Sequence, residues 1–96
     1  MAMGKLIEEK RDEIIRIAAE HGADNVRLFG SAARGEAGPS SDVDFLVDMK
    51  RDHSPWFPAG LTLDLEDLLG RRVHVVTREA LHPYIRERVL KEAVPL

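Results

Sequence analysis

The sequence predicts an α/β (α+β) fold in which helices pack on a small, three-stranded mixed sheet. Three observations predict it. Apolar residues recur at helical spacing near both ends, three short apolar runs indicate strands, and glycines stand where several of these segments stop. The resulting order is an αβαβαβ core followed by a last helix, and we expect residues 1–96 to form a single domain.

Each element has its own signal. In the first helix, Ile7, Ile14, Ile17 and Ala18 fall on one face, and Gly22 suits the position after the last turn. Helices are predicted over residues 5–21, 31–35, 61–69 and 81–93, with Ser31 as a possible N-cap of the second; strands are predicted over residues 26–29, 43–49 and 72–77.

Two loops complete this plan. Residues 36–41 contain Gly38 and Pro39 and are predicted to be a loop. Residues 51–60 are predicted to be a mobile or partner-contacting loop, in which Trp56 and Phe57, between two prolines, either pack under the loop or form a partner-facing patch.

Composition limits the classes of function. The net charge of -3 argues against a broad nucleic-acid surface, so no direct nucleic-acid binding is expected. No apolar run approaches the roughly 20 residues that cross a bilayer, and the N-terminus lacks a signal-peptide core, so no membrane association is expected. The chain has no cysteine, which fits a reducing compartment, and we expect a cytoplasmic protein.

A possible phosphate site lies where the first strand ends. Gly30 and Ser31 close this strand and open a short helix, so backbone N–H groups and a hydroxyl face the same point. Glycine lets a phosphate approach the backbone closely. Alone, the pair is weak evidence, and a simple tight turn explains it better.

A pair of aspartates gives a stronger signal. Asp42 and Asp44 are two residues apart at the second strand and therefore point to one face. Aspartate is unfavourable in strands, and two carboxylates on one face repel each other. The arrangement is therefore costly unless a cation lies between them. Mg²⁺ commonly binds one or two carboxylates together with phosphate oxygens, so the two motifs together predict a metal–nucleotide site.

The combined pattern resembles a known family. Gly-Ser-x-Ala-Arg-Gly at residues 30–35, followed by Ser-Asp-x-Asp-x-x-Val at residues 41–47, resembles the polymerase-β-like nucleotidyltransferase superfamily. Within it, the chain is similar to the minimal MNT proteins, which are antitoxin partners of HEPN-domain ribonuclease toxins. The resemblance covers essentially the whole chain and implies the nucleotidyltransferase fold.

The resemblance also implies roles for residues. Gly30 and Ser31 would contact the phosphates of a nucleoside triphosphate, with ATP as substrate. Asp42 and Asp44 would hold Mg²⁺, or Mn²⁺, and act catalytically. Arg34 would either balance phosphate charge or pair with an acidic neighbour, and Ser41 would orient Asp42.

The sequence departs from the family at one place. The superfamily has a third carboxylate on the next strand, where this chain has His74. Histidine there is a ligand for Mn²⁺ or Zn²⁺, a general base, or the mark of a site that has lost catalysis. No other acid replaces it: Asp48 lies too far along the strand, and Asp64, Glu66 and Asp67 are expected to face solvent.

Two hypotheses about function follow from the resemblance. In the first, the chain is an enzyme that transfers AMP from ATP to a hydroxyl, a tyrosine of a cognate HEPN toxin, and so neutralises it. In the second, it is a catalytically impaired module that neutralises the toxin by occlusion. A weaker third hypothesis is a nucleotide-binding regulator of a small molecule or nucleic acid. Homo- or hetero-oligomers are compatible with all three.

Overall fold

The computed structural model describes residues 3–36, 41–50 and 57–96. Its helices are α1 (Met3–Glu9), α2 (Arg11–Glu20), α3 (Gly30–Arg34), α4 (Ala59–Leu69) and α5 (Pro83–Glu92). Its strands are β1 (Ala23–Phe29), β2 (Val43–Met49), β3 (Val73–Thr77) and β4 (Val94–Pro95). Most of the two predicted loops, including Trp56 and its predicted role, lies outside the described residues.

The sheet has four strands in the order β3-β2-β1-β4. The β2–β3 pair is parallel, whereas β1 pairs antiparallel with both β2 and β4. The predicted mixed sheet is therefore confirmed, but its predicted count of three strands is wrong. The fourth strand has two residues, one of them a proline, and becomes a strand only because it pairs with Arg27 and Leu28 of β1.

The first helix is divided in two. The chain leaves helical geometry at Lys10, with φ of -101° and ψ of 6°, although backbone hydrogen bonds continue across it from Lys10 N to Leu6 O and from Ile14 N to Lys10 O. The apolar spacing runs through this point without a glycine or proline, which is why one continuous helix was expected. Ile14 and Ala18, four residues apart, are almost fully buried, as an amphipathic helix requires.

One face of the sheet carries the main core. Val43, Phe45 and Val47 are completely buried there because alternate strand residues share a face. They pack with α2 and α4, and α4 presents its leucines at i, i+4 and i+8: Leu61, Leu65 and Leu69. The α4 helix thus forms the crossover that allows β2 and β3 to run parallel.

The opposite face is covered by α5. Leu46, which alternates with the main-core residues, is fully buried against Leu81 and Val89. The α5 helix begins at Pro83, and the His82 side chain accepts a hydrogen bond from Tyr84 N, as a capping residue does. Since Asp44 and His74 share the parity of Leu46 and Val76, they lie on this second face beside α5.

The start of β3 is fixed by a side chain of α4. Glu66 Oε2 accepts a hydrogen bond of 3.0 Å from Val73 N, and Val43 N donates to Arg72 O at 3.0 Å. The expectation that Glu66 simply faces solvent is therefore wrong, because its carboxylate satisfies a strand N–H. These bonds set the β2–β3 register that places Asp44 opposite His74.

Candidate active site

The two predicted aspartates converge at the start of β2. Asp42 immediately precedes the strand and Asp44 is its second residue. Their side chains are 37% and 26% exposed, so both remain open to a ligand while being partly withdrawn from water. Ser41, which is half-buried, directly precedes Asp42, and its predicted orienting role stays a prediction.

His74 joins this pair from the neighbouring strand. Its Nε2 lies 3.1 Å from Asp42 Oδ2, and its Nδ1 lies 3.9 Å from Asp44 Oδ1. The imidazole is 53% exposed and stands across both carboxylates. The structure therefore brings together the three residues that the sequence singled out.

Gly30 forms the wall beside Asp44. It has a φ of 71°, and a Cβ added to it would lie 2.5 Å from Asp44 Oδ2. An added side chain would displace the carboxylate from its present position, and the left-handed backbone favours glycine here. The predicted closeness of the glycine–serine turn to the aspartates is thus present in the described residues.

Ser31 lies in the first turn of α3. The helix begins at Gly30 with Phe29 in the N-cap position and no side-chain capping bond, so the prediction of Ser31 as N-cap is wrong. The left-handed Gly30 turns the chain before Ser31 is reached. The serine is half-buried in this first turn, next to the glycine that contacts the site.

Arg34 is paired with acids from two segments. Its Nε donates to Glu36 Oε1, and its Nη1 lies 3.5 Å from Glu92 Oε1 of α5. The hydrogen bond to Glu36 is the main cause that raises the pKa of the guanidinium, which is charged at any physiological pH. In this structure Arg34 therefore has the acidic-neighbour role, one of its two predicted alternatives.

The environment of Asp44 favours a bound proton or cation. Burial is the main cause that raises the pKa of this carboxyl, and the charge of Asp42 raises it further, whereas His74 and Arg34 lower it. Desolvation and the repulsion from Asp42 outweigh the opposing effects of His74 and Arg34. A divalent cation at this point would relieve both penalties.

The donor set fits a divalent metal that arrives with a nucleotide. Within the described residues, no three His, Asp or Glu side chains are arranged to hold a metal ion by themselves. Mg²⁺ in nucleotide enzymes is typically held by one or two carboxylates, with phosphate oxygens and waters completing its shell. The converging, partly exposed carboxylates of Asp42 and Asp44 match that requirement.

The other acids near the sheet are engaged elsewhere. Asp48 accepts hydrogen bonds from Arg27 Nη2 at 2.8 Å and Asn25 Nδ2 at 3.0 Å. Asp64 Oδ2 lies 2.6 Å from Nε2 of His21, which connects α4 to the end of α2. Neither replaces a third carboxylate at Asp42 and Asp44.

Sequence reasoning missed Glu92. Its carboxylate reaches Arg34 only because α5 packs beside α3, and no spacing along the chain signals this contact.

Across the described ranges, no helix is long and apolar enough to cross a lipid bilayer.

Comparisons with known proteins agree with this geometry. The nucleotidyltransferase domain model matches residues 9–96. A Methanocaldococcus jannaschii protein, provisionally named protein adenylyltransferase MJ0435, is 39% identical over 92% of this chain and 95% of its own length. Protein adenylyltransferase MntA of Thermococcus cleftensis is 42% identical over 76% of this chain and 74% of its own.

Solved structures share the fold. One provisionally described as a minimal nucleotidyltransferase matches with a TM-score of 0.85 at 44% identity, covering 96% of this chain and 94% of the other. Two toxin–antitoxin crystal structures, one with AMP-PNP and one of an MntA–HpeT variant, match with TM-scores of 0.74 and 0.72. They are 20% identical and cover 88% and 90% of this chain and 69% and 70% of theirs, so this likeness is one of fold. From the family model and the close relatives, the chain belongs to the nucleotidyltransferase domain family.

Proposed function

We propose that this chain is an antitoxin that transfers AMP from ATP to a tyrosine hydroxyl of a cognate HEPN ribonuclease toxin, in the cytoplasm. The observation that carries the proposal is the convergence of two partly buried carboxylates, Asp42 and Asp44, against the left-handed turn at Gly30. Relatives named protein adenylyltransferase support the reaction class. The MntA–HpeT structure, which shares the fold, supports a toxin as partner.

The chemistry is an in-line displacement. The acceptor oxygen attacks the α-phosphorus, the bond from that phosphorus to the bridging oxygen breaks, and pyrophosphate leaves with the electron pair of that bond. A divalent cation held by Asp42 and Asp44 would supply positive charge to the phosphate oxygens. The short α3 turn with Gly30 and Ser31 would lie against the phosphates.

His74 is the candidate acceptor of the hydroxyl proton. If Nε2–H donates to Asp42 Oδ2, the Nδ1 lone pair is left to take a proton, because Asp44 is beyond hydrogen-bonding distance. Asp42 would then select the tautomer of the base as well as hold the cation. The half-exposed imidazole is reachable by a side chain of another protein.

The position of His74 also motivates the second candidate function. A histidine that contacts both carboxylates in place of a third acid is also expected in a site that has lost catalysis. In that case the chain neutralises its partner by occlusion alone. Neutralisation would then not require ATP, whether or not the chain still binds the nucleotide.

Intact-mass measurement separates the two functions. The purified HEPN partner is incubated with this protein, ATP and Mg²⁺ or Mn²⁺, and enzymatic transfer adds the mass of AMP to the partner. Asp42→Asn and Asp44→Asn should each abolish the addition, whereas Asp67→Asn, the same change on the exposed face of α4, should not. Tyr84 is the chain's only tyrosine and is 92% exposed, so Tyr84→Phe keeps self-modification from confusing the assay. An unchanged partner mass with retained neutralisation would support occlusion.

A further inference from the structure

The last turn of α5 reaches the nucleotide side of the fold through one ion pair. Glu92 Oε1 lies 3.5 Å from Arg34 Nη1, and the side chains are 31% and 47% exposed. Glu92 is held in place because Val89 of the same helix packs on Leu46, and because the chain pairs with β1 directly afterwards as β4. The backbone that carries the Glu92 carboxylate is therefore anchored to the sheet on both sides of this residue.

Arg34 lies next to the proposed phosphate site. It ends the short α3 helix that begins with Gly30 and Ser31. A guanidinium binds carboxylates and phosphates with the same fork of N–H donors. In the structure, Nε of Arg34 donates to Glu36 and its Nη1 lies 3.5 Å from Glu92.

We propose that Glu92 is a residue of the nucleotide site that competes with the triphosphate for Arg34. Together with Glu36, it engages the Nε and Nη1 donors of the guanidinium, so a polyphosphate that approaches these donors must compete with carboxylates already beside them. The α5 helix thereby lowers the affinity for the triphosphate. This inference rests on the proposed function, because it assumes that a nucleoside triphosphate binds at Gly30 and Ser31.

The direction of the effect separates competition from other roles of Glu92. A residue that holds Arg34 in a productive orientation would weaken nucleotide binding when it is removed. Removal of a residue that only ties α5 to α3 would lower the melting temperature and leave the affinity for the nucleotide unchanged or weaker. Competition alone predicts tighter binding, and only while Arg34 is present.

The test measures Mg²⁺–ATP and inorganic triphosphate binding by calorimetry. Glu92→Gln should bind both about two- to fivefold more tightly, the range expected for releasing one solvent-exposed ion pair. Glu87→Gln is the matched control: it makes the same charge change on the same helix, and Glu87 is paired with Lys91 at 3.3 Å. Its affinity should equal that of the wild-type protein.

A double-mutant cycle assigns the gain to Arg34. In an Arg34→Ala background, Glu92→Gln should leave affinity unchanged. A gain that persists without Arg34, or a Glu92→Gln affinity no higher than that of Glu87→Gln, would overturn the inference while leaving the proposed function intact. If the folded wild-type protein binds neither ATP nor triphosphate, the proposed function and this inference both fail.

Discussion

Gly30 and Asp44 approach each other so closely that a methyl group on the glycine would lie 2.5 Å from the Asp44 carboxylate oxygen. The contact joins the end of the first strand to the acidic pair on the second. It explains why the glycine and the aspartates occur together as one motif: the backbone of one occupies the space beside the charge of the other.

Gly30→Ala should therefore remove nucleotide binding. Alanine at a φ of 71° costs about 1–2 kcal/mol of stability, and its Cβ would also push Asp44 away from its position. Calorimetric titration with Mg²⁺–ATP should show loss of binding in a protein that is still folded by circular dichroism.

Gly35→Ala is the control for backbone strain. Gly35 has a similar φ of 73°, but an added Cβ would meet nothing within 4 Å among the described residues. It should lose a similar amount of stability and keep its affinity for Mg²⁺–ATP. Equal affinities for the two variants would contradict a role for the Gly30–Asp44 contact.

Asp44→Asn should raise the melting temperature of the metal-free protein at pH 7. The folded-state pKa of Asp44 is raised above its unfolded value, chiefly by burial. The stability contributed by a proton on Asp44 is complete below the unfolded pKa and is lost as the pH rises through the folded pKa. At pH 7 the ionised group thus opposes folding, and neutral asparagine removes this penalty.

The pH dependence provides the check. The difference in melting temperature between Asp44→Asn and the wild-type protein should shrink as the pH falls towards the range of an ordinary aspartate. Added Mg²⁺–ATP should stabilise the wild-type protein but not the variant. A lower melting temperature for the metal-free variant at pH 7 would show that the ionised Asp44 stabilises the fold instead.

Asp48→Ala should have the opposite effect on stability. Asp48 pairs with Arg27, whose side chain is only 10% exposed, and the loss would leave a nearly buried guanidinium short of its charged partner. We expect urea denaturation to show a loss of about 1–2 kcal/mol. Asp24→Ala on the exposed part of β1 should change stability little, and nucleotide affinity should survive in both variants. Loss of affinity in Asp48→Ala would place this network in the site.

His74→Asp should make the protein more dependent on metal. A third carboxylate beside Asp42 and Asp44 adds repulsion, so the metal-free melting temperature should fall, while Mg²⁺ should raise it more than in the wild-type protein. His82→Asp makes the same change at the start of α5, where aspartate caps a helix well, and its response to Mg²⁺ should match the wild type. A thermal shift with Mg²⁺ no larger than that of the wild type would show that position 74 does not face the cation.

Much of the fold could be predicted because local patterns and packing agree. The leucines of α4 repeat every four residues and are buried, and the alternation in β2 separates Phe45 from Asp44 onto opposite faces. The same alternation, with the turn at Gly30, predicted that the motif residues would meet. Asp42 and Asp44 were identifiable because two carboxylates on one face of a short apolar strand are costly without a function, whereas His74 was identified only through the resemblance to the family pattern.

The remaining features depend on contacts between distant segments. The β4 strand contains Pro95 and forms only through its pairing with β1, so the local sequence does not predict a strand there. Glu92 looks like any exposed helical acid until α5 is placed against α3. The break at Lys10 likewise has no sequence signal, because the apolar spacing continues through it.

The hydrogen bond from Val73 N to Glu66 has a consequence for fidelity of assembly. Strand residues alternate between faces, so a slip of β3 by a single position would turn His74 into the core and bring a valine before the acidic pair. A register error of one residue would thus replace a polar centre with an apolar one. Glu66 lies on α4, and its hydrogen bond to Val73 N therefore determines which side chains of β3 face the acidic pair.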